Sequence, residues 1–235
     1  MNRNDTTSAG PAIAPLIDHT ILKPEARRAD IERTCAEAVQ FGFAAVCVYA
    51  AWVPLVAGRL RGTGVRTCTV AGFPHGAATT ASKAFEAAEA VQSGADEVDM
   101  VLAVHAVRDG DLRRAEDDVR AVVKAAGGRT VKVILETGLL TDTEKVAACR
   151  LCVAAGAAFV KTSTGMGAGG ATVADVRLMR ATVGPGVGVK ASGGIRTLAD
   201  AMAMAEAGAN RLGTSAGVAI MAEAATKQTT APKWQ

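Results

Sequence analysis

Aromatic residues make up only 3% of this 235-residue chain, and a single tyrosine is among them. Base stacking needs aromatic platforms, so the scarcity argues against nucleic-acid binding by that route. Charge offers no substitute, because the net charge is only +3 and the lysines and arginines are scattered rather than gathered into a basic patch. No run of 18 apolar residues exists, so no transmembrane helix and no membrane partner are expected. The opening "MNRNDTTSAG" is polar and lacks the apolar stretch of a signal peptide. Cysteines number five, an odd count without disulfide-like spacing, which fits a reducing cytoplasm. Cys149 and Cys152 form a lone C-x-x-C in a helical pattern and read as buried packing. His19, His75 and His105 are far apart and lack ligand spacing, so neither metal nor cofactor is expected.

Small residues are abundant instead. The chain has 25 glycines, many alanines and a 49% hydrophobic content, enough for a large core packed with close helix–sheet contacts. Four stretches look alike: "FGFAAVCV", "SGADEVDM", "AGAAFVKT" and "AGANRLGT". Their glycines, Gly42, Gly94, Gly156 and Gly208, are spaced by 52, 62 and 52 residues. Each glycine follows a helical segment and precedes an apolar strand, as expected of a helix stop that takes a positive φ. The spacing is about twice that of a β-α unit of ~25–30 residues. Further strands fall between, at "APLIDHT", "VRTCTVAG", "TVKVILET" and "GVGVK". Leu112, Ala115, Val119, Val122 and Ala126 share one helix face, and Thr141 with Glu144 makes a capping box. Eight βα units in a chain of this length predict a single (β/α)8 TIM barrel, with residues 1–10 and about 225–235 as loose tails. An open doubly wound sheet is the alternative, but no G-x-G-x-x-G follows the first strand.

Barrel active sites sit at the C-terminal ends of the strands. Those ends carry Asp18, His19 and Thr20 on strand 1, Cys47 and Tyr49 on strand 2, and Thr67 and Thr69 on strand 3. They continue with Asp99 on strand 4, Glu136 and Thr137 on strand 5, Lys161 on strand 6 and Lys190 on strand 7. Any one of these polar residues has an ordinary structural explanation; a barrel, however, gathers them around one axis. Gly193 and Gly194 follow strand 7, while Gly213, Thr214 and Ser215 run off strand 8. Backbone N–H groups in such turns bind phosphate, and barrels often use these two loops for it. "GMGAGGAT" after strand 6 reads as a lid near the same pocket. The residues thus point to a phosphate-binding barrel with two lysines in its mouth. A lysine amine attacks carbonyls to form a Schiff base, and a second lysine nearby favours the neutral form of the first.

Eight blocks, in order, carry a family resemblance: "IDHTIL", "VCVY", "TVAGFPHG", "ADEVDMV", "KVILETG", "FVKTSTG", "VKASGGIRT" and "RLGTSAG". Over about residues 13–222 the chain resembles the deoxyribose-phosphate aldolases, a class I aldolase family. The resemblance implies reversible cleavage of 2-deoxyribose 5-phosphate to acetaldehyde and glyceraldehyde 3-phosphate, in cytoplasmic deoxynucleoside catabolism. It implies Lys161 as the Schiff-base lysine, Asp99 as the proton relay and Lys190 as the second active-site lysine. Asp18, Cys47 and Thr164 are expected to line the substrate, and Gly193, Gly194, Gly213, Thr214 and Ser215 to hold its phosphate. A homo-oligomer, dimer or tetramer, is expected. Some members place a second serine where this chain has Ala216, and some end in a tyrosine that this chain's tail lacks. The competing readings are a Schiff-base aldolase for another phosphosugar or keto acid, and a non-catalytic phosphosugar-binding barrel.

Overall fold

Each glycine of the fourfold repeat takes a positive φ where a helix ends, at +66° for Gly42, +109° for Gly94, +86° for Gly156 and +110° for Gly208. The chain then enters a strand within three residues. In the computed structural model, which describes residues 12–167 and 169–230, eight parallel strands close in chain order. They are β1 (Ile17–Ile21), β2 (Ala45–Val48), β3 (Arg66–Ala71), β4 (Glu97–Val101), β5 (Thr130–Ile134), β6 (Phe159–Lys161), β7 (Gly188–Ser192) and β8 (Arg211–Thr214). Strand β8 pairs back onto β1, with Asp18 opposite Gly213. This is the single (β/α)8 barrel read from the sequence.

The helices are α1 (Arg28–Phe41), α2 (Val53–Leu60), α3 (Thr80–Gln92), α4 (Val104–Arg108), α5 (Leu112–Ala125), α6 (Asp142–Ala154), α7 (Val173–Val183), α8 (Leu198–Glu206) and α9 (Gly217–Thr230). The capping box at Thr141 and Glu144 opens α6 as the sequence pattern requires. Helix α9 continues through Thr230, so residues 225–230 are helical where a tail was expected. The expected tails at 1–10 and 231–235 lie outside the described residues. Leu112 also departs from its predicted buried face and is exposed. Among the described residues, no helix is long and apolar enough to cross a membrane.

The apolar core is the shell between strands and helices. Val46, Val98, Val133, Val160, Val189 and Leu212 point outward from the strands and are fully buried there. Cys149 and Cys152 belong to this shell, and burial pushes the Cys149 thiol up to about 12. Inside the barrel lies a small apolar cluster, built from Leu22, Ala45, Cys47, Cys68 and Val70 with Tyr49 and Phe73. Phe159 and Ile134 share the inward parity of Lys161 and Lys132, and charged side chains occupy much of the remaining interior.

Candidate active site

Strand parity selects the interior residues, because successive side chains point to opposite faces. Asp99 faces inward from β4, and its carboxylate is the hub. Its Oδ2 accepts from Lys161 Nζ on β6 and from Lys190 Nζ on β7, both at 2.8 Å. Lys161 and Lys190 are register partners, so the two ammonium groups stand side by side over one oxygen. Asp99 Oδ1 accepts from Lys132 Nζ at 2.8 Å and from the Cys68 thiol at 3.3 Å. Lys190 Nζ also donates to Asp18 Oδ2. All of these groups are buried; Lys161, nearest the mouth, retains 3% exposure.

A second layer lies below. Arg211, the first residue of β8, donates to Asp18 Oδ1 at 2.5 Å and to Glu97 Oε1 at 2.6 Å. Lys132 Nζ reaches Glu97 Oε2 at 2.7 Å, and the Arg211 guanidinium lies 5.9 Å from the Phe159 ring centroid. Buried charges persist only when paired, and here the pairing is reciprocal. Burial alone would raise the Asp18 carboxyl, but Lys190, Lys132 and Arg211 outweigh it and lower it from 3.8 to about 2. Asp99 is likewise held well below the carboxylate range against its burial, by Lys132, Lys161 and Lys190. Burial would lower Lys190, but Asp18 and Asp99 hold it above the ordinary lysine value. Lys132 is raised in the same way, chiefly by Asp99.

The predicted Lys161, Lys190, Asp99, Asp18 and Cys47 therefore share one interior. Cys47 packs beside Cys68 on the neighbouring strand, and the hydrogen bond between the thiols is the main influence lowering Cys47. The donor atoms of Cys47, Cys68 and Asp99 lie within 4.8 Å of one another, but Lys132 already bonds both Cys68 and Asp99. Glu97, Lys132, Arg211 and Cys68 escaped the sequence reading. For two of them the signal is a two-residue step: Glu97 precedes Asp99 by two, and Arg211 precedes Gly213 by two. On β3 the reading was out of phase. Thr69 turns away to donate to Val48 O at 2.9 Å, and Cys68 is the inward residue. His19 also turns away from the axis, to Glu37 at 2.8 Å.

Thr164 is fixed by the strand 5 end. Its hydroxyl donates to Glu136 Oε2 at 2.5 Å and accepts from the Met166 amide at 3.1 Å. Glu136 sits in the left-handed region at φ 54°, which turns its carboxylate toward the β6 loop. Together with His75, Leu139 and Met166 these residues line a small cavity of about 100 Å³ beside the mouth.

Gly193 and Gly194 form consecutive left-handed turns after β7, at φ 89° and 82°. The β6 loop docks there, with the Ala171 amide donating to Gly193 O at 2.9 Å. Ser215 is exposed just ahead of α9. Two other residues expected at the phosphate have different surroundings. The Thr214 hydroxyl is committed, donating to Ile195 O at 2.7 Å and accepting from the Ala216 amide at 2.9 Å. Gly213 lies within β8 rather than in a loop, where a Cβ would stand 2.9 Å from Ser192 Cβ and 3.0 Å from Lys190 Cε. Its lack of a side chain makes room for the Lys190 stem.

A parallel barrel with two mouth lysines on one buried aspartate has the build of a lysine-dependent (β/α)8 aldolase. The chain belongs to the DeoC/LacD family of aldolases, whose sequence profile matches residues 12–223. It is 59% identical over 205 residues to a deoxyribose-phosphate aldolase of Streptococcus pneumoniae, covering 87% of this chain and 93% of that protein. A deoxyribose-phosphate aldolase of Streptococcus equi subsp. zooepidemicus is 57% identical over the same coverage. Among solved structures, the tetrameric deoxyribose phosphate aldolase of Aeropyrum pernix superimposes with a TM-score of 0.85 at 34% identity, over 92% of each chain.

Proposed function

We propose that this protein cleaves 2-deoxy-D-ribose 5-phosphate reversibly to acetaldehyde and D-glyceraldehyde 3-phosphate, through a Schiff base on Lys161. The observation that carries the reading is the pair of register-matched lysines on Asp99 Oδ2, each at 2.8 Å, inside the barrel. Relatives at 57–59% identity named for this activity support the choice of substrate.

The Lys161 amine attacks C1 of the open-chain sugar, and loss of water leaves a protonated imine. A water held by Asp99 and Lys190 takes the proton of the C3 hydroxyl. The C2–C3 bond then breaks, its electron pair moving toward the imine to leave an enamine at C1–C2, while C3 becomes the aldehyde carbon of the departing glyceraldehyde 3-phosphate. Protonation at C2 and hydrolysis release acetaldehyde and free the amine. Asp18 and Cys47 line the interior below the imine, while Thr164 keeps the β6 loop in place. The phosphate is received by the turns at Gly193 and Gly194 and by the α9 end at Ser215, with Gly213 and Thr214 shaping the wall. The reading includes a cytoplasmic homo-oligomer, dimer or tetramer, acting without metal or cofactor.

Incubation with deoxyribose 5-phosphate, coupled to glyceraldehyde 3-phosphate detection, should register turnover that EDTA leaves unchanged. Borohydride with acetaldehyde should add one two-carbon unit, mapped to Lys161. A label on any other residue, or activity lost to EDTA and restored by zinc, would overturn this mechanism.

A further inference from the structure

The Schiff-base reading needs Lys161 as a free amine, yet the structure sets it against a carboxylate, which favours the protonated form. Something must weaken the hold of Asp99. The charges facing the barrel axis come from β1 (Asp18), β4 (Glu97 and Asp99), β5 (Lys132), β6 (Lys161), β7 (Lys190) and β8 (Arg211), with the thiols of Cys47 and Cys68 on β2 and β3. With Lys161 protonated, four cations face three carboxylates. Lys132 has Asp99, Glu97 and Asp18 as partners, Lys190 has Asp18 and Asp99, and Arg211 has Asp18 and Glu97. Among the described residues, Lys161 has the one ion-pair partner Asp99.

We propose that Arg211 is a positioning residue for the amine chemistry: by occupying Asp18 and Glu97 it commits Lys132 and Lys190 to Asp99, leaving that carboxylate too fully paired to keep a proton on Lys161. The inference rests on the Schiff-base reading above. Arg211 suits the task because a guanidinium does not deprotonate and its fork meets two carboxylates at once. It sits at the N-terminal end of β8, away from the substrate side of the barrel, so its effect must pass through the ion pairs. Without it, Lys132 would be drawn to Glu97 and Lys190 to Asp18, and Asp99 would be left to Lys161. Removing Glu97 instead should do the opposite, since Lys132 would then settle more firmly on Asp99.

The test is the pH dependence of imine formation, read by borohydride trapping of acetaldehyde so that proton relay in later steps does not enter. Arg211→Met should move the acid limb alkaline by about one pH unit, and Arg211→Lys should restore much of the original profile. Glu97→Gln should move the limb toward acid. The double variant Arg211→Met with Glu97→Gln returns the interior to its original charge balance, and its limb should fall back near that of the parent. Should Arg211→Met fail to fold, Glu97→Gln and the double variant still decide the matter. Limbs that stay put, or single variants that move the same way, would overturn the role of Arg211. Failure to label Lys161 in the parent protein would overturn the Schiff-base reading instead.

Discussion

At the scale of single residues, the sequence reading treats Lys190 as a bare like charge beside Lys161. The structure adds the carboxylate between them, and this changes the reasoning but not the sign. Removing Lys190 takes away a repelling charge and also frees Asp99 to hold Lys161. Lys190→Leu should therefore move the acid limb of imine trapping alkaline by about 2 pH units. A lowered plateau with an unmoved limb would make Lys190 a relay or binding group only. At the phosphate end, Ser215→Glu should raise KM for phosphorylated sugars far more than for free deoxyribose, because a new carboxylate would repel the dianion. Equal damage to both substrates would show that Ser215 faces something else. Of the residues read correctly, Lys161 ends β6, while Asp18, Asp99 and Lys190 lie on the second or third residue of their strands; each is a charge in a largely apolar strand pattern, which is what makes it visible in the sequence. Lys132, Glu97 and Arg211 stand one inward step deeper, where a barrel normally carries branched apolar side chains. The two-residue step back from Asp99 and Gly213 points to Glu97 and Arg211, and no such step marks Lys132.

At the scale of elements, the helix-to-strand joints were readable because one residue type answers one backbone demand: a glycine accepts the left-handed turn that ends a helix. Strand phase was harder. "VRTCTVAG" alternates threonine with cysteine and valine, and nothing local states which set faces the axis; the hydrogen bond from Thr69 to Val48 O settles it. Gly213 shows the same difficulty, since a glycine after a strand and a glycine within one look alike in sequence. Its role on β8 is spatial, so Gly213→Ala should press on Ser192 and on the Lys190 stem, at 2.9 and 3.0 Å from the new methyl group. A displaced Lys190 should cost about 10- to 100-fold in kcat, with KM for the phosphate ester little changed. A variant that loses phosphate affinity and keeps kcat would return Gly213 to the phosphate loop.

At the scale of the whole molecule, this barrel has exchanged much of an apolar interior for ion pairs, and its stability should carry the mark. Buried pairs cost desolvation that their attraction must offset, so they stabilise only while both members stay charged. For the carboxylates the sign is set by folded values below unfolded ones. Their contribution is complete above the unfolded value and is lost as pH falls through the folded one. Asp18 goes from 3.8 to about 2, which corresponds to about 2 kcal/mol lost as pH drops from about 4 to about 2. Asp99, held lower still, extends the loss further into acid. Lys132 and Lys190 have raised folded values, so their contribution is complete below 10.5 and fades only as pH climbs above it. Urea unfolding should thus give a plateau between about pH 5 and pH 9, with a fall on either side. Asp30, Glu32, Glu144 and Asp200 are also lowered, but they lie on the surface, where salt screens them. Salt therefore separates the two sources. If the barrel interior governs the acid fall, the loss between about pH 4 and pH 2 should persist in 0.5 M salt at about its low-salt size. A loss that salt largely abolishes would assign acid sensitivity to the surface pairs, and the interior network would then contribute little to holding the barrel together.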